Sequence, residues 1–260
     1  MATQKKTNVL LVTIALFVAT FMTAIEGTIV STAMPTIISN LHGMKLMNWV
    51  FSIYILTNAM MTPIYGKMAD RIGRKPIFIF GLVLFVIGSS LCGLSHQMET
   101  LIISRAIQGM GAGAIMPVSF TIIADIYPIE KRAKVLGFNG SAWGIASIIA
   151  PLLGGFIVDK LTWHWIFFIN VPIGLVTIGM IAYCLREEKK TSQAPIDYWG
   201  SLWLMLALLG LLYGFQLLGE AQLSVGRLIV AFAVAVGAFA LFMRTEKRAE
   251  DPIISLDLFK

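Results

Sequence analysis

Apolar stretches long enough to cross a bilayer recur along this chain, and that one feature excludes almost every water-soluble fold. About twenty residues of helix, rising about 1.5 Å each, span the roughly 30 Å hydrocarbon core. Eight stretches qualify: residues 9–33, 49–65, 76–94, 101–124, 136–158, 165–185, 198–218 and 228–243, the second and last being the shortest. With 57% hydrophobic and only 13% charged residues, the chain has too little polar surface for a soluble domain of its length. The expected fold class is an all-α integral membrane protein with eight transmembrane helices. The first stretch is not followed by a small-residue cleavage site and a polar domain, so it reads as a membrane helix rather than a secretory leader.

Orientation follows from the basic residues, which concentrate in cytoplasmic loops. With the N-terminus inside, all but four of the 20 Lys and Arg fall on the cytoplasmic side; Lys45, Lys160 and Arg227 fall outside and Arg105 lies within the fourth helix. The expected localisation is the cell membrane, multi-pass, with both the N-terminus and the C-terminus cytoplasmic. The lipid bilayer is thus the first partner. The formal charge of +6 follows from insertion, and basic residues spread over separate loops give no face for nucleic acid. Cys92 and Cys184 both sit in apolar segments and read as small core residues, with neither a disulfide framework nor a zinc-ligand spacing.

A membrane-embedded enzyme would need a nucleophile and base, or metal ligands, gathered at one depth. His42, His96 and His164 fall in different outer loops, and no HExxH, GxSxG or phosphate-loop pattern occurs. The expectation is no enzyme, no metal and no cofactor.

The charges inside the spans carry more information. Residues 9–25 hold no charge, and then Glu26 appears. A charge in the hydrocarbon region costs about 2.5–3.5 kcal/mol on insertion scales, so an intramembrane acid is a functional candidate with a partner to be named. Counting inward, Glu26 lies in the outer half of an outward-running helix and Arg105 in the outer half of an inward-running one. The two share a depth, and a bundle could bring them into one cavity, either as a transport site or as a structural salt bridge.

Three other patterns need a reading. In GKMADRIGRK, residues 66–75, glycines permit close approach or a positive φ, Asp70 can cap a helix N-terminus, and the basic residues can pair with it or with lipid phosphates. On charge alone, a plain positive-inside loop fits as well. Along the fifth helix, Gly140, Gly144, Ala150, Gly154 and Gly155 form a small-residue stripe around Pro151, suited to close helix approach as a hinge or as ordinary packing. Asp125 and Tyr127 read as a cap and an anchor, Trp49, Trp163, Trp165 and Trp199 as interfacial anchors, and Met22, Met60 and Met61 as adaptable lining or core.

Gly66, Asp70, Arg71, Gly73, Arg74 and Lys75 closely resemble the signature loop of the major facilitator superfamily. LIISRAIQGMGAGAIMP resembles its fourth-helix motif of proton-coupled members, with Arg105, Gln108, Gly109, Gly111 and Gly113 in place. WGIASIIAPLLGGFI resembles the fifth-helix antiporter motif, with Gly144, Pro151, Gly154 and Gly155 inside that stretch and Ala150 where glycine is usual. EGTIVSTAMP is similar to the first-helix motif of the fourteen-helix drug/proton antiporter family. Glu26 stands there for the usual Asp and Met34 for Leu. WHWIFFINVPIG and IDYWG resemble the sixth helix and the approach to the seventh in the same branch.

The resemblance implies an N-terminal six-helix transporter bundle over residues 1–185, a cytoplasmic linker at 186–200, inserted helices seven and eight at 201–243, and a cytoplasmic tail at 244–260. The partner C-terminal bundle would lie outside this chain. The implied activity is proton-coupled efflux of small-molecule drugs or antibiotics by alternating access, driven by the proton gradient. Glu26 and Arg105 would couple proton and substrate, the loop at 66–75 would gate, and the fifth-helix stripe would serve as antiporter hinge. Export of an endogenous metabolite or lipid, or an inactive truncated fragment, are the alternatives.

Overall fold

The computed structural model describes residues 7–187, 198–219 and 224–247. These form helices α1 (Val9–Leu41), α2 (Met47–Ile72), α3 (Arg74–Gly93), α4 (Met98–Ile126), α5 (Ile129–Lys160), α6 (Trp165–Phe168), α7 (Asn170–Cys184), α8 (Tyr198–Leu218) and α9 (Val225–Glu246). No strand occurs among the described residues. Most of the linker expected at 186–200 and of the tail expected at 244–260 lies outside them.

Seven helices are long and apolar enough to cross a membrane, α6 and α7 counting together as Trp165–Cys184. Of the eight expected spans, the second, α2, is the one that falls short in apolarity, although it packs along α4 and parallel to it. Helix α2 has the length, 26 residues, but Ser52, Tyr54, Thr57, Asn58 and Thr62 and its charged end at Lys67, Asp70 and Arg71 reduce its apolarity. Its threonine hydroxyls find carbonyls within the bundle: Thr57 donates to the Ile53 carbonyl, and Thr62 to the carbonyls of Asn58 and of Gly113 on α4. A helix whose polar groups turn to its own carbonyls and to a neighbouring helix can be less apolar than its neighbours and still pack closely against them.

Contacts fix the relative directions. Arg105 reaches the Val50 carbonyl, Gly109 lies on Tyr54 and Thr57, and Gly113 lies on Asn58 and Met61, so α2 and α4 run parallel. Gly111 meets Phe85 and Gly81 while Gly88 meets Gln108, so α3 runs antiparallel to α4. Phe17 stacks on Phe138 at 4.8 Å, Thr20 bonds to Asn139, and Ile29 and Thr32 lie against Gly154, so α1 and α5 run parallel. Helix α7 returns beside α1, the Asn8 N–H donating to the Cys184 carbonyl at 3.1 Å. Helices α8 and α9 pair antiparallel through Gly210 on Ala231 and Ala235, and α8 meets α2 where Tyr213 packs on Trp49 at 5.8 Å.

The bundle has two apolar cores stacked along its length. One contains Leu16, Phe78, Phe85, Ile115 and Ile181; the other contains Ile29, Ile37, Leu101, Ile157 and Ile166. Between them on α1, α3, α4 and α7 lie Glu26, Ser89, Arg105, Gln108 and Asn170, all buried. A layer of charged and amide side chains therefore lies between the two.

Glycine makes the α3–α4 approach possible. A Cβ at Gly88 would stand 2.4 Å from the Gln108 backbone nitrogen, and one at Gly111 would stand 2.3 Å from that of Phe85. Gly88→Val should therefore lower stability by about 1–3 kcal/mol or more, read as a lower unfolding temperature in detergent, whereas Gly144→Ala, whose Cβ meets nothing within 4 Å, should not lower it. Equal effects would contradict this packing.

Candidate functional site

The polar layer centres on the Glu26 carboxylate. The Arg105 Nη1 donates to Glu26 Oε2 at 2.6 Å, and Oε1 accepts from Gln108 Nε2 at 2.8 Å and from Asn170 Nδ2 at 2.5 Å. Arg105 also donates from Nη1 to Gln108 Oε1 at 2.7 Å and from Nε to the Val50 carbonyl at 3.2 Å. Its guanidinium carbon lies 4.2 Å from the centre of the Tyr54 ring and 5.9 Å from that of Phe167. Asn170 continues outward to Ser89 Oγ at 3.0 Å, and Ser89 donates to the Phe167 carbonyl at 2.9 Å. Both charges are fully buried, so the pair trades desolvation against charge-assisted bonds with Gln108 on α4, Asn170 on α7 and the Val50 carbonyl on α2.

Local sequence explains the placement. Arg105 and Gln108 are three apart and share one face of α4. Pro172 has no N–H to offer the Phe168 carbonyl, and the helix is interrupted at Ile169 between α6 and α7. Asn170 stands at that break and turns its amide to Glu26.

The structure thus brings Glu26 and Arg105 together, as equal depth predicts, and adds Gln108 from the fourth-helix pattern. Gly109, Gly111 and Gly113 do not touch the carboxylate; they let α4 close on α2 and α3. Asn170, Ser89 and Tyr54 were missed from the sequence. The available signal was a lone amide before a proline inside the apolar run IFFINVPIG.

In the loop at 66–75 the expected capping is corrected. Asp70 belongs to the last turns of α2 and is exposed, with Arg74 at 3.4 Å as its partner. Helix α3 is capped instead by Glu187, which accepts the backbone N–H of Arg74 at 2.6 Å and of Lys75 at 3.0 Å. Gly73 takes φ +115°, where a side chain is strained and its Cβ would stand 2.8 Å from that carboxylate. Lys75 donates to the carbonyls of Ala182 at 2.6 Å and Leu185 at 2.8 Å, and Arg74 pairs with Asp125 at 2.8 Å. The start of α3 is thereby tied to the ends of α7 and α4. Tyr127 anchors to Thr13 through a 2.8 Å hydroxyl bond. A Cβ at Gly66 meets nothing within 4 Å, and the structure brings no partner to it.

On α5 the stripe divides. Ala142, Ala146, Ala150 and Gly154 are buried, Gly154 lying 3.1 Å from Ile29 as measured at its Cβ position, while Gly140, Gly144 and Gly155 meet no atom there and Pro151 is exposed. Elsewhere, Trp163 is buried, its ring stacked on that of His164 at 3.8 Å, whereas Trp165 and Trp199 are exposed. Burial, and then the neighbouring His96, push the His164 imidazole below its ordinary range. Cys92 and Cys184 are free thiols and Met22 belongs to the core.

Residues 16–247 match the model of the Major Facilitator Superfamily. The chain belongs to this superfamily. It is 40% identical to multidrug resistance protein 3 of Bacillus subtilis (strain 168), over 99% of this chain and 51% of that protein. It is 39% identical to the multidrug efflux pump SdrM of Staphylococcus aureus (strain N315), over 93% of this chain and 54% of that one. The chain thus spans about half the length of these curated relatives. Its fold is similar to that of the human organic anion transporter MFSD10 (TM-score 0.62, 16% identity, covering 80% of this chain and 62% of that one). The proton:xylose symporter XylE is also similar (TM-score 0.61, 14% identity, 90% and 51%). Family and fold are those of a multi-pass membrane transporter.

Removing one partner of a buried pair leaves the other charge uncompensated, at about 3–5 kcal/mol. Arg105→Gln should accordingly lower the unfolding temperature more than the double variant Glu26→Gln/Arg105→Gln. A double variant no better than the single would contradict the geometry.

Proposed function

We propose that this chain supplies the proton- and substrate-coupling part of a drug exporter that works by proton-coupled antiport, in the fourteen-helix branch of the superfamily. The observation that carries the reading is the fully buried Glu26 held by Arg105, Gln108 and Asn170 between two apolar cores. The relatives named as multidrug proteins support the substrate class.

Glu26 can be neutralised in three ways: by Arg105, by a proton, or by a cationic substrate. If proton and substrate exclude each other there, outward movement of one is coupled to inward movement of the other, each favouring a different conformation. The membrane potential supplies about 2.3 kcal/mol per charge per 100 mV and the pH gradient about 1.4 kcal/mol per unit. The proposed orientation places both ends in the cytoplasm, with Glu26 in the outer half. The charged ties of Arg74, Lys75, Asp125 and Glu187 then lie on the cytoplasmic side, where the loop at 66–75 gates against a second bundle. The open small-residue face of α5, around Gly144, Pro151 and Gly155, meets that bundle during rocking. Residues 1–185, 186–200, 201–243 and 244–260 serve as bundle, linker, inserted pair and tail.

The test is ethidium accumulation driven by a pH gradient in everted vesicles from cells expressing the complete gene. Glu26→Gln should insert normally and reduce gradient-driven uptake at least about ten-fold, a barrier change of roughly 1.4 kcal/mol or more. Asn170→Ala should give a smaller loss. Full gradient-driven uptake by Glu26→Gln would overturn the proposal.

A further inference from the structure

Neutralising Glu26 raises a question about Arg105, because its guanidinium is wholly buried and Glu26 is the anion it pairs with. A buried cation whose counter-ion has just taken up a proton needs another site of negative potential, or protonation fails. Val50 and Gln108 offer neutral oxygens at 3.2 and 2.7 Å. The remaining contacts are aromatic faces: that of Tyr54, 4.2 Å from the guanidinium carbon and well within cation–π range, and that of Phe167, at the edge of that range at 5.9 Å.

We propose that Tyr54 is a positioning residue for the proton step: its ring face holds the Arg105 guanidinium while Glu26 is neutral. This rests on the coupling role assigned to Glu26 above. When Glu26 is charged, the guanidinium is shared between carboxylate and ring; when it is protonated, the ring takes the larger share. The ring therefore stabilises the protonated state more than the charged one, and removing it makes Glu26 harder to protonate.

The hydroxyl does not carry this role. It is buried and has no hydrogen-bond partner, so a tyrosine stands where its ring, not its oxygen, makes the contact. The charged and titratable groups facing Glu26 are Arg105 on α4, Tyr54 on α2 and Cys92 on α3, and α7 brings the neutral Asn170. None of the others can replace the ring as a host for a cation.

The experiment follows the carboxylic-acid carbonyl band of Glu26 by infrared difference spectroscopy against pH. It uses protein from the complete gene in lipid, with Glu26→Gln to assign the band. This readout needs no substrate and no transport, so it fails separately from the exchange assay above. Tyr54→Phe should keep the wild-type midpoint. Tyr54→Leu and, at closer volume, Tyr54→Met should move it about one pH unit lower. Midpoints unchanged in both ring-less variants, an equal shift in Tyr54→Phe, or a Glu26 that stays charged at every pH would overturn the inference.

Discussion

Everything in this bundle is arranged around the need to neutralise one carboxylate where no water reaches it. Glu26 carries a charge whose burial is costly, and four helices converge to offset it: α1 brings the acid, α4 brings Arg105 and Gln108, the break before α7 brings Asn170, and α3 brings Ser89 behind it. Two of the bonds come from the same face of α4, so that helix must present this face to α1. The glycines of α3 and α4 are the consequence. Gly88, Gly109 and Gly111 remove the Cβ atoms that would keep α4 from closing on α2 and α3 around this site.

The layering follows from the same constraint. A hydrogen-bonded cluster that excludes water needs apolar caps above and below, and the two cores, one around Phe78 and Ile115 and one around Ile29 and Leu101, provide them. A closed polar layer between apolar cores is a place where a change in a single proton alters the balance of several strong bonds at once. At the opposite end of the charge scale, Arg74, Lys75, Asp125 and Glu187 pin one rim of the bundle by bonds to helix ends rather than to lipid.

Much of this was legible in the sequence because membrane chains write their depth into residue counts. The distance of Glu26 and Arg105 from their helix starts placed both in one layer, and their 2.6 Å contact bears out that counting. Family was legible because Gly66, Asp70, Arg71, Gly73, Arg74 and Lys75 form a spacing-specific pattern that the match over residues 16–247 supports. What escaped did so for a physical reason. Asn170, Ser89 and Tyr54 are neutral, so composition gives no hint that they face an acid rather than satisfy themselves. Glu187 sat in a polar break, and nothing local showed that it caps α3 more than 110 residues away. Helix α2 is the least apolar of the long helices because hydroxyls and amides stand along it, and its packing beside α4 shows in the structure what its composition obscures.

The central claim is that one carboxylate serves proton and substrate in turn, and proton release on ligand binding addresses it most directly. With purified protein from the complete gene in weakly buffered detergent, at a pH below the Glu26 midpoint so that the carboxyl is protonated before binding, saturating tetraphenylphosphonium should release about one proton per bound cation, as expected for a single shared carboxyl that must be ionised to bind it. Glu26→Gln should release none. Equal release from both proteins, or cation binding by the wild type without any proton, would contradict the account.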